Sequence, residues 1–166
     1  NLTIIEGKTG WIIVDPLTAE ETAAAAFEFA KKYLEPKPVV AVIFTHSHAD
    51  HFGGIAAIIS AEDVLEKGVR IVAPEGFMEE SISENVIAGV AMRRRAQYMY
   101  GKRLTISERG HVDTGLGKTP ANGKVGILAP TDLITHTPQE MTLDGVRFIF
   151  QNAPESEAPA ELTFYL

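Results

Sequence analysis

The sequence predicts an α/β fold, and two observations carry that prediction. Val39 to Phe44 is an unbroken apolar, β-branched run of strand length, as expected for a strand covered on both faces. Around it, strand-like and helix-like stretches alternate in the order of an α/β chain. At 166 residues the chain has the length of one ordinary domain, read here as residues 1–166.

The elements follow in order. Leu2 to Ile5 and Trp11 to Val14 are short apolar runs joined by the turn-like Gly7-Lys8-Thr9-Gly10, which predicts a hairpin. Asp15-Pro16 ends its second strand. Thr18 and Glu21 have the spacing of a capping box, opening a helix that should run to about Leu34 before Pro36 and Pro38 stop it. After the Val39 to Phe44 strand comes a polar loop, Thr45 to His51, then a predicted helix from Phe52 to Ser60. Val69 to Ala73 reads as another buried strand, and Met78 to Tyr100 as helical. Glycines at 101, 110, 115, 117 and 123 break any period, which predicts a long loop of the kind that binds something or belongs to an interface. Lys124 to Leu128, Met141 to Leu143 and Val146 to Gln151 read as strands, the last two joined by the hairpin turn Asp144-Gly145. Glu161 to Leu166 is a final strand. Trp11 and Phe148 are expected in the core.

Composition excludes several function classes. The formal charge of −7 argues against a nucleic-acid backbone as the main partner, and Arg93-Arg94-Arg95 is too short to overturn that. The plainer reading of that cluster is a solvated helix face; the other is anion steering near a site. With no cysteine, disulfides, thiolate metal ligands and cysteine nucleophiles are all ruled out. No run approaches the roughly 18 to 20 apolar residues that span a bilayer, and the N-terminus lacks a signal-peptide pattern. Because the chain starts at Asn1, removal of a leader or of a longer N-terminal piece is expected.

The segment that carries chemistry is Thr45-His46-Ser47-His48-Ala49-Asp50-His51-Phe52-Gly53-Gly54. It follows the C-terminal end of the buried strand, where α/β sheets place their ligands. Three of the five histidines fall here beside an acid. Such a loop can turn His46 and His48 to one metal and Asp50 and His51 to a second. Imidazole and carboxylate suit zinc, at about 2.0 to 2.2 Å, although iron and manganese accept similar donors. Two metals together can activate water and hold substrate oxygens. Gly53 and Gly54 would let the backbone approach closely beneath the site.

His46-x-His48-x-Asp50-His51 with Gly53-Gly54 resembles the signature of the metallo-β-lactamase superfamily, whose fold is a four-layer αβ/βα sandwich. The longer string Thr45 to Gly54, with Tyr98-Met-Tyr-Gly101, Gly115-Leu-Gly-Lys118 and Ser156-Glu-Ala-Pro-Ala-Glu161, is similar to the alkyl sulfatases that hydrolyse dodecyl sulfate and related esters. Much of the superfamily has a histidine where Glu157 stands. The resemblance implies that Glu157 is a metal ligand, with Glu161 as a competing candidate. It implies a second, hydrogen-bonding role for Asp15 behind the metal loop, set against a plain turn role. It also implies further ligands, a bridging acid and a last histidine, from segments after Leu166. On that basis the chain is an N-terminal portion of an incomplete sandwich, offering five ligands, enough for one metal position and part of another.

The residues at the margins have plainer readings. Tyr98 and Tyr100 close a core or turn a hydroxyl to sulfate, with Arg95 as anion partner. His111 and His136 read as solvated loop histidines before they read as substrate contacts. The expected activity is zinc-dependent hydrolysis of an alkyl sulfate to an alcohol and inorganic sulfate, with Asp50 in the catalytic site and two Zn2+ per complete site. The alternatives are another hydrolase of the fold, acting on a lactam, thioester, lactone or phosphodiester, or an inactive metal-binding fragment. A periplasmic or secreted location and a homodimeric full-length parent go with the resemblance.

Overall fold

The computed structural model describes residues 2–166 and builds two sheets and one layer of helices. The first sheet has five strands in the order β1 (Thr3–Glu6), β2 (Trp11–Val14), β3 (Val39–Ile43), β4 (Arg70–Pro74) and β5 (Asp132–Ile134). β1 is antiparallel to β2, as the hairpin predicted, and β2 to β5 run parallel. The second sheet is the antiparallel meander β6 (Gln139–Leu143), β7 (Val146–Asn152) and β8 (Leu162–Tyr165). The helices are α1 (Glu20–Tyr33), α2 (Ala49–Phe52), α3 (Ala61–Lys67), α4 (Phe77–Ile82) and α5 (Gly89–Met99).

The alternation of side chains along each parallel strand divides the interior into two cores. Trp11, Ile13, Val42, Phe44, Ile71 and Ala73 face the helices, where Phe27, Phe52 and Phe77 meet them. Ile12, Val14, Ala41, Ile43 and Val72 face the second sheet and pack on Leu143, Phe148, Phe150 and Leu162. This double coverage is why β2 and β3 carry no polar residue: each face has its own apolar partner. Phe44 stacks on Phe77 at 4.9 Å, and truncating such a ring to alanine costs about 3–5 kcal/mol. Helices, sheet and sheet thus make three layers, α/β/β, of the sandwich that the resemblance implies.

Several local expectations are corrected. The helix after the His-rich loop does not run from Phe52 to Ser60. It is one turn, α2, then a 3-10 turn at Ile55–Ala57 and a new helix, α3. Ser60 and Asp63 form a true capping box on α3, and Gly68 closes it in the left-handed region. Thr18 and Glu21 form none. Ala19 occupies the N-cap, Lys124 O accepts from Glu20 N, and the Glu21 carboxylate accepts from Lys124 N instead. Lys124 to Leu128 is therefore not a strand, because its backbone bonds to helix ends, including Gly126 N to Gly53 O at 2.8 Å. The pairing place beside β4 goes to Asp132–Ile134. Met78 to Tyr100 is helical but divided by a π-helical turn, Ser83–Ile87. The stretch after Gly101 is a long loop, as expected. No helix is long and apolar enough to cross a membrane among the described residues.

Candidate metal centre

β3 delivers the His-rich loop to the edge of the first sheet, and the second sheet comes up to meet it. Phe44 is buried and Leu162 N donates to Thr45 O at 2.8 Å. His46 makes an isolated antiparallel bridge with Glu161, one residue before β8. His48 then sits at the N-cap of α2, which carries Asp50 and His51 on its single turn and is anchored in the core by Phe52. Gly53 and Gly54 cross the Pro16 to Ala19 backbone so closely that a Cβ on Gly54 would lie 2.2 Å from Pro16 O.

Asp15 stands behind this loop, 7% exposed, with φ of 55° in the left-handed region that aspartate tolerates better than most residues. Its Oδ1 accepts from Thr45 N at 2.9 Å and its Oδ2 from Thr45 Oγ1 at 2.7 Å. With its proton given to Asp15, the Thr45 hydroxyl acts as acceptor for His46 Nδ1–H at 2.9 Å. That fixes the His46 tautomer and leaves Nε2 with a free lone pair. His46 Nε2 is in fact buried and without a hydrogen-bond partner. Asp15 Oδ2 also accepts from His51 Nδ1 at 2.8 Å, which turns His51 Nε2 toward Asp50 Oδ2, 3.3 Å away. One carboxylate therefore orients two imidazoles.

The charge states follow from this packing. Burial, aided by the neighbouring His51 and His48, pushes the His46 imidazole below its ordinary value, so it is neutral and ready to donate a lone pair. Burial works the same way on His51, but hydrogen bonds to Asp15 and Asp50 outweigh it and raise that imidazole to about 9. The hydrogen bond from His51 holds the Asp50 carboxyl down at about 2.

Glu157 reaches the loop from the β7–β8 connection. One ligand atom each from His46, His48 and Glu157 lies within 4.8 Å of the others. The orphaned His46 Nε2, the donor types and this convergence fit one metal ion, for which a buried polar atom with no other partner is the expected sign. Glu161 does not join the group as a ligand atom. Its Oε2 accepts from Glu157 N at 2.8 Å and Ala158 N at 3.0 Å, so it shapes the turn that presents Glu157. Burial opposes its ionisation, but the Ala158 N–H, the Ser156 hydroxyl and the Glu157 N–H hold its carboxyl below the usual range.

Other residues singled out in the sequence lie apart. Arg95, Tyr98 and Tyr100 belong to α5 and its end, an arm with no buried residue, and Tyr98 is 86% exposed. No hydrogen bond or ion pair joins these three side chains to the metal loop among the described residues. His111 is half-buried within its own loop against Gly101, and His136 is exposed on the wall of a cavity beyond Glu161. Conversely, sequence reasoning missed Glu84, whose Oε2 lies 3.6 Å from His48 Nε2, and the relay through Thr45.

The family model of the metallo-beta-lactamase superfamily matches residues 1–150. An alkyl/aryl-sulfatase of Saccharomyces cerevisiae and a linear primary-alkylsulfatase of Pseudomonas sp. are each 48% identical over the whole chain. The chain spans only 26% and 25% of their lengths. A stereoselective inverting sec-alkylsulfatase from Pseudomonas sp. superposes with a TM-score of 0.92 at 44% identity, over 100% of this chain and 26% of that one. A metallo-β-lactamase from Pontibacter korlensis, 17% identical with a TM-score of 0.53, covers 98% of this chain and 53% of its own and is alike in fold. The residues matched and the loop at the end of β3 together place this chain in the metallo-β-lactamase superfamily.

Proposed function

We propose that this chain is the metal-binding portion of a hydrolase that cleaves alkyl sulfate esters to an alcohol and inorganic sulfate. The observation that carries the reading is the convergence of His46, His48 and Glu157 on one point, with a glutamate in the third ligand position. The likeness to three alkyl sulfatases over the whole chain supports it, as does the buried, unpartnered Nε2 of His46.

In this reading His46, His48 and Glu157 hold one zinc ion, and Asp50 with His51 contribute to a second. Zinc bound there would supply Lewis acidity toward the sulfate oxygens and lower the pKa of water to near neutrality. Asp15 keeps both His46 and His51 in the tautomers that ligation needs, while Glu161 holds the turn of Glu157. Arg95, Tyr98 and Tyr100 enter as residues contacting the sulfate group. The full-length protein is read as a homodimer acting in the periplasm or outside the cell.

The test is release of inorganic sulfate from dodecyl sulfate by the intact, zinc-loaded protein, alongside phosphate-ester and β-lactam probes. Sulfate release that is lost on chelation and restored by zinc, with Arg95→Ala raising KM, is the expected result. Hydrolysis of only the phosphate or lactam probe would replace this substrate assignment with another.

A further inference from the structure

His46 and His51 each have Nδ1 committed to Asp15, through Thr45 or directly; His46 Nε2 has no partner, and His51 Nε2 faces Asp50 Oδ2. His48 makes no contact with Asp15. Its Nδ1 is 3.8 Å from Glu157 Oε1, the carboxylate grouped with His46, and its other nitrogen, Nε2, is 3.6 Å from Glu84 Oε2. The Glu84 side chain is only 24% exposed, and no lysine or arginine pairs with it among the described residues.

The element carrying Glu84 is fixed to the loop carrying His48. Phe77, on the first turn of α4, stacks on Phe44, and the buried Ser81 hydroxyl donates to Ser47 O at 3.4 Å. Directly after these contacts the chain widens into the π-helical turn closed by Ala88 N to Ser83 O at 2.9 Å. Such turns are rare and recur at functional sites, where the extra residue redirects a side chain. Here it is Glu84 that lies against His48. A carboxylate on the non-ligating nitrogen is the usual companion of a metal-binding imidazole, because it fixes the tautomer and raises the basicity of the ligating atom.

We infer that Glu84 is the positioning residue of His48: it accepts a hydrogen bond from His48 Nε2–H and thereby commits Nδ1 to the metal shared with His46 and Glu157. The inference rests on the metal-centre reading above and extends it to a residue outside the His-rich loop.

Zinc affinity of the intact protein, measured by competition with a chromophoric chelator, tests it in Glu84→Ala and Glu84→Gln. Histidine ring tautomers are followed in parallel by long-range proton–nitrogen NMR. The expected result is a loss of about 10–100-fold in zinc affinity for Glu84→Ala. Glu84→Gln, which keeps an acceptor oxygen, should recover part of it, and the proton on His48 Nε2 should be fixed in the wild type and Glu84→Gln only. Wild-type affinity in Glu84→Ala would overturn the inference. So would an equal loss in both variants with the His48 tautomer unchanged, which marks Glu84 as a ligand or a purely structural group. Wild-type protein that binds no zinc would overturn the metal-centre reading itself, an outcome distinct from either of these.

Discussion

Asp15 accepts from Thr45 N, Thr45 Oγ1 and His51 Nδ1 on two oxygens. Asparagine in its place would offer one acceptor and turn an NH2 group on a donor. Asp15→Asn should therefore weaken zinc binding by about 10–100-fold, and the His51 pKa, raised to about 9 with Asp15 and Asp50 beside it, should fall toward the ordinary imidazole value of 6.5. The two changes are read by chelator competition and by NMR titration; a His51 that titrates alike in both proteins would contradict the role given to Asp15. The same raised pKa sets a pH window. His51 contributes stability that is full below pH 6.5 and lost as pH rises through about 9, because its proton is bound more tightly in the folded state. A zinc ion held by His51, as proposed, would displace that proton, so its uptake between these values should release it and tighten as pH rises, as calorimetry in two buffers of different ionisation enthalpy would record. At this scale the candidate ligands stood out in the sequence because four of them lie in one short stretch. Glu84 and the Thr45 relay were not, since each depends on a partner distant in sequence and no local pattern marks it.

Strands β2, β3 and β4 were read well from their apolar runs, because burial on both faces leaves a signature that no surface element shares, whereas β5, short and only part-buried, was missed. Helices were read less well. Phe52 to Ser60 has helical composition, yet Gly53 and Gly54 are used for contact with the Pro16 to Ala19 backbone, and Gly54 N donates to Leu17 O at 2.9 Å. That contact ends α2 after one turn. Ala61–Lys67 buries no residue, so its helix had only its capping box to announce it. Lys124 to Leu128 looks like a strand by residue type, but helix ends take its hydrogen bonds. The close crossing at Gly54 also yields a prediction for the element. Gly54→Ala would force a methyl against Pro16 O and the Ala23 side chain, and overpacking of this kind costs about 1–3 kcal/mol. Chemical denaturation should show that loss, together with weaker zinc binding as α2 shifts. An unchanged midpoint would mean the backbone there yields freely.

Over the whole molecule, the proposed metal ligands come from both sheets: His46 and His48 from the loop after β3, and Glu157 from the connection between β7 and β8. Ligand binding to the folded state alone adds about 2.7 kcal/mol at a free concentration of 100 Kd. For a domain of this size that corresponds to roughly 5–11 °C in Tm, at about 2–4 °C per kcal/mol. Calorimetry with and without zinc checks this, and a Tm indifferent to zinc would contradict it. The bridge between His46 and Glu161 gives the arrangement a mechanical meaning as well. Zinc there would act as a rivet through two plates otherwise held by grease, and pulling the rivet should let the smaller plate work loose first. After chelation, the amides of Phe148 and Phe150 should exchange with deuterium well ahead of those of Val42 and Ile71, so that the order of opening, and not only its temperature, is set by one ion.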